Sequence, residues 1–349
     1  MHAQTKQPTL AESYARLKTE RPQLRVREAA KELGVSEAEV VEAEGAQRLR
    51  PDWAALLERM PALGRVMCLT RNEVCVHERH GCYEKVEIHG GMGLVLGPDI
   101  DLRLFLRRWA SGFACPQNLH SGTRQSLQFF DAAGVAIQKI YLTDDSDAQA
   151  YAELLKTFVE PDAPPLAIQA SPARPADKPD VEIDAAALKR DWEGLRDTHD
   201  FYGLLNKHKV SRTQALRLAG APLAVKMNPG ITAEMLGTVS ANDEPIMAFV
   251  GNPGCIQIHT GRAKKIAAKN GWLNVLDEQF NLHLREALVA QTWLVRKPTE
   301  DGVVTALELF DKDGELVVQF FGKRKPGVPE RQSWRELLGR LATEFNAHA

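Results

Sequence analysis

Hydrophobic and polar residues follow two rhythms along this chain, and each rhythm occurs twice. Residues 10–50 carry helical spacing, first in LAESYARLKTERPQL and then in REAAKELGVSEAEVVEAE. From about Arg65 the texture changes. RVMCLTRNEVCVHERHG, YEKVEIHGGMGLVLG, DIDLRLFLRRW and RQSLQFFDAAGVAIQKIYL are short runs of β-branched and aromatic residues punctuated by Gly, Asn and Asp. They predict an antiparallel sheet. FFDAAGVA reads as two strands joined by a tight turn, and a helix is expected around Ala148 to Phe158. The stretch Glu160 to Asp184 then holds Pro161, Pro164, Pro165, Pro172, Pro175 and Pro179. That composition predicts a linker stiffened toward polyproline II.

After the linker the pattern starts again. Asp184 to Asn206 predicts one amphipathic helix with Asp184 as N-cap. Leu188, Trp192, Leu195, His199 and Tyr202 recur at steps of four and three, on one face. KVSRTQALRLAG then follows the pattern of GVSEAEVVEAEG, and ALELFDKDGELVVQFFG that of SLQFFDAAGVAIQKIYL. The register is constant: Asn72 and Asn252, Cys75 and Cys255, Leu102 and Leu282, Asp131 and Asp311, and Gly134 and Gly314 all lie 180 residues apart. The expected fold is therefore α+β, with helices and a large antiparallel sheet made twice. The expected organisation is an N-terminal repeat over 1–159, a linker over 160–183 and a C-terminal repeat over 184–349. Two such units can stack and leave a cleft between them, where binding sites are favoured.

Composition narrows the function. Apolar residues make up 44% and charged residues 26%, with a net charge of -2, so no global field draws the chain to nucleic acid or an anionic membrane. No apolar run approaches the roughly 20 residues of a membrane span. The opening residues lack a signal peptide's apolar core, which points to the cytoplasm. Arg27 to Glu44 has the look of a helix-turn-helix. Its second helix, from Ser36, carries Glu37, Glu39, Glu42 and Glu44 and no Lys or Arg, the wrong sign for phosphates. A packed helical hairpin is expected instead. The five cysteines are odd in number and without CxxC spacing, so they read as reduced, small apolar residues.

Candidate chemistry lies where the copies differ. His199 stands opposite Arg21, Arg103 opposite His283, and His77 opposite Gln257. The basic GKRKPG at 322–327 stands where the first half has acidic TDDSDAQ. One asymmetric site is thus expected rather than two equivalent ones. Spacing alone leaves His199 open between a core histidine and an axial metal or cofactor ligand. It leaves Arg103 open between an exposed arginine and one aimed into a cleft. Lys297 and Arg324 sit near strand ends, as surface charge or as carboxylate binders. His77, His80 and His89 form no recognised ligand set, and His259 and His283 read as structural.

RPDWAALL, LTRNE-x-CVHER-x-G, PDIDLRLFL, DTH, RTQALRLAG, VGN-x-x-CIQIHTG, NVLDEQFNLHL, VRKP and FG-x-RKPG occur in order over nearly the whole chain. With them the sequence resembles the bacterial cytoplasmic hemin-binding and hemin-degrading factors, the HemS/ChuS/PhuS-type family. The resemblance implies two tandem repeats whose sheets stack into a saddle, with heme between the halves. It implies His199 of DTH as the proximal iron ligand and Arg103 of DLRLFL as the distal residue, with Phe105 nearby. Arg212, Lys297, Gln319 and Arg324 match positions that meet heme propionates, and Phe249 a pocket wall. Where some relatives carry a tyrosine, this chain has Phe321. The implied function is heme binding in heme-iron uptake. Heme would either be degraded with an external electron donor or delivered to a separate heme oxygenase. An inner-membrane importer and an oxygenase or reductase are the implied partners.

Overall fold

The computed structural model describes residues 7–119, 122–325 and 327–346. The reading of the N-terminus falls partly on residues 1–6, and that of GKRKPG partly on Pro326, outside the described residues. The first repeat runs α1 (Leu10–Glu20), α2 (Val26–Leu33), α3 (Glu37–Ala43), β1 (Gln47–Arg48), α4 (Trp53–Arg59), β2 (Gly64–Arg71), β3 (Cys75–Cys82), β4 (Lys85–His89), β5 (Met92–Leu96), β6 (Asp101–Phe105), β7 (Ser111–Leu119), β8 (Gly122–Phe130), β9 (Ala136–Ser146) and α5 (Ala148–Phe158). The second runs α6 (Ala185–Glu193), α7 (Asp200–His208), α8 (Arg212–Ala219), β10 (Ala224–Met227), α9 (Ile231–Ala241), β11 (Ile246–Asn252), β12 (Cys255–Gly261), β13 (Ile266–Lys269), β14 (Trp272–Leu276), β15 (Phe280–Leu284), β16 (Gln291–Thr299), β17 (Gly302–Phe310), β18 (Leu316–Gly322) and α10 (Gln332–Glu344). The strands make two large antiparallel sheets, so the fold is α+β as expected. Among the described residues no helix is long and apolar enough to cross a membrane.

The chain divides into two compact units that do not simply follow the repeats. The first contains residues 1–70 and 80–172, and also Asn252–Cys255 from the second repeat. Within it β1, β7, β8, β9 and β2 form one antiparallel ladder, and β4, β5 and β6 another. Gly254 is tied in by its carbonyl, which accepts from the backbone N–H of Phe105 and from Trp109 Nε1, both at 3.0 Å. Trp53, Trp109 and Phe129 meet ring against ring in the core beneath α4 and α5. The hairpin α2–α3 packs as expected: Ala29, Ala30 and Val40 are buried with Tyr14 and Leu17 of α1. Ser36 caps α3 through a capping box with Glu39. Glu37, Ala38, Val40 and Val41 are all buried, and the face left outside carries Glu39 and Glu42, the wrong sign for phosphates.

The second unit contains residues 173–251 and 256–349 together with Arg71–Arg79 from the first repeat. Residues Cys75 to Arg79 of β3 pair with β15, which continues through β14 to β13. Asn72 holds the preceding turn, accepting from the N–H groups of Val74 and Cys75 and donating to the carbonyls of Gly251 and Val317. The larger ladder is β10, β16, β17, β18 and β11. Strand alternation gives it two faces. Ala248, Leu294, Leu307, Leu309, Val318 and Phe320 point toward α9 and α10, where Met235, Leu236, Trp334 and Leu338 complete the core. Trp293, Val295 and Phe310 point the other way, under α6, α7 and α8.

One expected element is corrected. Asp184 to Asn206 forms two helices, α6 and α7, instead of one. α6 buries Leu188 and Trp192 and stops at Gly194. Asp197 then accepts the backbone N–H of His199 through Oδ1 at 2.8 Å, a local bond that competes with a helical hydrogen bond. α7 starts afresh with His199 as its N-cap. The periodicity continued across the break, but the backbone did not.

Candidate functional site

His199 does not lie in an apolar stripe. Its side chain is 87% exposed, and Tyr202 beside it is exposed as well. The ring is nevertheless held: Nδ1 lies 2.7 Å from Asp197 Oδ1. The backbone N–H of His199, and then its ring N–H, keep the Asp197 carboxyl below the usual carboxylate range, and Arg324 adds to the effect. An ionised carboxylate only accepts, so Nδ1 carries the proton and Nε2 presents its lone pair outward. A metal-binding imidazole is oriented in the same way, by a carboxylate on its other nitrogen.

The loop carrying His199 is anchored to the hairpin between β16 and β17. Arg196 pairs with Glu300, and its carbonyl accepts the Glu300 N–H at 3.0 Å. Next to it Asp301 accepts from Arg324 Nη2 at 3.2 Å and from the Gly327 N–H at 2.9 Å. Arg324 Nε is buried and has no partner among the described residues, so this guanidinium keeps a donor for a further acceptor.

Arg212, Lys297 and Gln319 are drawn together by a residue that sequence reasoning missed. Glu308 is 0% exposed. Its Oε1 accepts from Arg212 Nη2 at 2.6 Å, Lys297 Nζ at 3.1 Å and Gln319 Nε2 at 2.8 Å, and its Oε2 accepts from Arg212 Nε at 2.7 Å. Burial alone would raise this carboxyl. Arg212 and Lys297 reverse that and hold it well below the ordinary range. Lys297 is pushed down to about 8, because burial outweighs what Glu308 returns. Phe201, in the first turn of α7, lies 4.9 Å from the Arg212 guanidinium and 4.5 Å from the Lys297 ammonium, within cation–π range. Removing the carboxylate would strand buried charge, at a cost of about 3–5 kcal/mol. A glutamate inside the apolar run VVTALELF was the available signal, but nothing local named its partners.

Phe249 is opposite Gln319 in the β11–β18 register, and Phe321 is opposite Met247. Phe249 and Phe321 meet edge to face at 5.1 Å. All of these side chains are half-buried, and Phe249, Phe321 and Met247 form an apolar strip beside the charged cluster. Arg103 and Phe105 belong to the first unit. There β6 buries Leu102 and Leu104 and leaves Asp101, Arg103 and Phe105 half-buried on its other face. The Arg103 guanidinium pairs with Asp101 and donates to Leu102 O at 3.2 Å.

His77 and His259 serve the interior of the second unit. Both are buried against Phe280, His259 stacked at 3.6 Å and His77 edge-on at 5.1 Å. His77 Nδ1 donates to Gln257 O, and His259 Nε2 to Arg262 O. Their other ring nitrogens are buried without a hydrogen-bond partner among the described residues.

A loose-ended imidazole, an apolar strip and a cationic cluster are the parts a flat, iron-bearing dicarboxylate needs, so the residues fit a heme. The comparisons with known proteins point the same way. The chain is 39% identical over 337 residues to the hemin transport protein HmuS of Yersinia pestis, covering 95% of this chain and 97% of that one. Holo-PhuS, a heme-binding protein from Pseudomonas aeruginosa, matches with a TM-score of 0.92 and 49% identity over 94% of this chain and 96% of its own. The heme degrading enzyme ChuS of Escherichia coli O157:H7 matches with a TM-score of 0.90 and 37% identity over 95% and 98%. The profile of the haemin-degrading HemS.ChuX domain matches twice, over residues 34–158 and 209–341, once in each repeat. The chain therefore belongs to the HemS family of haemin-degrading HemS.ChuX domain proteins.

Proposed function

We propose that this chain binds heme as cargo on its second repeat, with His199 Nε2 on the iron, and passes it on in cytoplasmic heme-iron uptake. The observation that carries the reading is the His199–Asp197 pair: an exposed imidazole with its tautomer fixed and one nitrogen open. Iron supplies the coordination chemistry, and the chain supplies orientation and charge. Asp197 holds the ring, Phe249 and Phe321 offer an apolar surface, and Arg212, Lys297, Gln319 and Arg324 face the propionates. Delivery is the reading put to the test first; Arg103, the polar group ring opening would draw on, has Nη1 held by Asp101 and Leu102 O. A membrane importer as source and a heme oxygenase as recipient suit that role.

A hemin titration followed at the Soret band tests it. The native chain saturates at a defined stoichiometry. His199→Ala loses at least about 1.4 kcal/mol, tenfold in Kd, and changes the ferric spectrum. An unchanged spectrum removes His199 as ligand. Adding reductant and catalase then separates delivery from degradation: an intact chromophore supports delivery, and a defined open-chain tetrapyrrole overturns it.

A further inference from the structure

The cluster around Glu308 holds more positive charge than it needs. Two cations, Arg212 and Lys297, surround one carboxylate, and Gln319 adds a neutral donor. Lys297 is only 4% exposed, whereas the Arg212 side chain is 22% exposed and reachable from solvent. The first repeat shows what the same scaffold does without this surplus. Gln128 and Lys139 stand 180 residues before Glu308 and Gln319, and Glu37 follows the N-cap Ser36 as Arg212 follows the N-cap Ser211. There Lys139 Nζ lies 3.9 Å from Glu37 Oε1, and Glu44 lies near enough for the same ammonium to act on it. In the second repeat two cations meet one fully buried acid.

We propose that Glu308 is a resident counter-ion: it holds Arg212 and Lys297 in place with one positive charge to spare, for a ligand that brings its own carboxylates. The inference rests on the heme reading and deepens it by assigning a positioning residue that selects the diacid porphyrin. A buried ammonium without an anion would discharge, and a half-buried arginine without a fork partner would lose its aim. Glu308 prevents both before cargo arrives. Among the described residues, the charged groups acting on Lys297 are Glu308 from β17 and Arg212 from α8. Phe201 from α7 and Gln319 from β18 carry no charge.

The test compares the full chain's affinities for ferric protoporphyrin IX and for its dimethyl ester, from about pH 6 to about pH 9. Effects of pH at the iron are common to both porphyrins and cancel in the ratio. The native chain favours the diacid, and the advantage falls as pH rises past about 8, where Lys297 loses its proton. In Glu308→Gln the fall moves to lower pH by about one unit or more, because the ammonium has lost its counter-ion. In Lys297→Met the pH-dependent fall disappears. A Glu308→Gln fall that stays in place, or equal weakening of both porphyrins, overturns the proposal and makes Glu308 merely structural. If Glu308→Gln does not fold, Lys297→Met decides: a fall persisting near the native pH overturns it. If the native chain binds neither porphyrin, the heme reading fails and takes this one with it. If it binds both equally at every pH, only this one fails.

Discussion

At His199 the chemistry turns on which ring nitrogen carries the proton, and Asp197 decides it. Asp197→Ala is expected to leave the fold intact and to weaken ferric heme binding by about 10–100-fold, the range seen when an outer-shell partner of a metal-binding histidine is lost. A Soret titration beside a far-ultraviolet circular dichroism spectrum reads both quantities. Unchanged affinity would reduce Asp197 to a turn former. His77 makes the opposite prediction, about stability. Burial pushes its imidazole down to about 3, so the unfolded chain binds more protons than the folded one below the ordinary histidine value. The stabilisation from keeping it neutral is complete above about pH 6.5 and is lost as pH falls toward about 3. By pH 5 the loss is about 2 kcal/mol for this one group. His77→Leu should therefore narrow the gap between urea stabilities at neutral and acid pH. An equal gap in both proteins would show that this ring does not contribute. Single residues were unevenly legible in the sequence. His199 stood out because its repeat partner is Arg21, but its exposure was invisible, since periodicity cannot register the backbone bond to Asp197. Glu308 was hidden because its meaning lies in three donors from α8, β16 and β18.

The hairpin turns are the elements that the sequence made plainest. Asp131 Oδ1 accepts from the N–H groups of Ala133 and Val135, and Asp311 Oδ1 from those of Asp313 and Glu315, all at 2.9 Å. Each turn ends on a glycine with positive φ, 72° at Gly134 and 73° at Gly314. Any side chain there costs about 1–2 kcal/mol in the left-handed region. The surroundings then separate the two. A Cβ on Gly134 would fall 2.5 Å from Ser36 Cβ, at the cap of α3. One on Gly314 would meet the movable end of Arg174 at 3.0 Å and Thr213 Oγ1 at 3.1 Å. Gly134→Ala should thus lower the unfolding midpoint more than Gly314→Ala. The reverse order would show that the α3 cap yields more readily than the linker arginine. The linker itself is less free than its prolines implied. Gln214 Nε2 reaches Lys178 O at 2.7 Å, and Ser211 Oγ donates to Asp177 at 3.0 Å, so its later part lies against α8.

For the whole molecule, the constant offset between repeats made the doubled α+β architecture legible. It could not show which strands would pair, because an offset carries no information about partners far away in sequence. Hence the exchange of Arg71–Arg79 and Asn252–Cys255 was not foreseen. Expressed alone, residues 173–349 lack the segment that pairs with β15 and should show no cooperative unfolding transition. Mixing with residues 1–172 should restore one. A steep melt of the isolated piece would mean the exchanged segment is dispensable.

That exchange bears on how such a chain came to exist. A progenitor with one repeat could complete neither unit by itself, and two copies would have had to trade hairpins. Joining them in tandem replaced a bimolecular encounter with a tethered one and removed the dependence on concentration. It also released the copies from identity. One half was then free to keep a lysine beside Glu37, while the other set two cations on one acid and gained an exposed histidine.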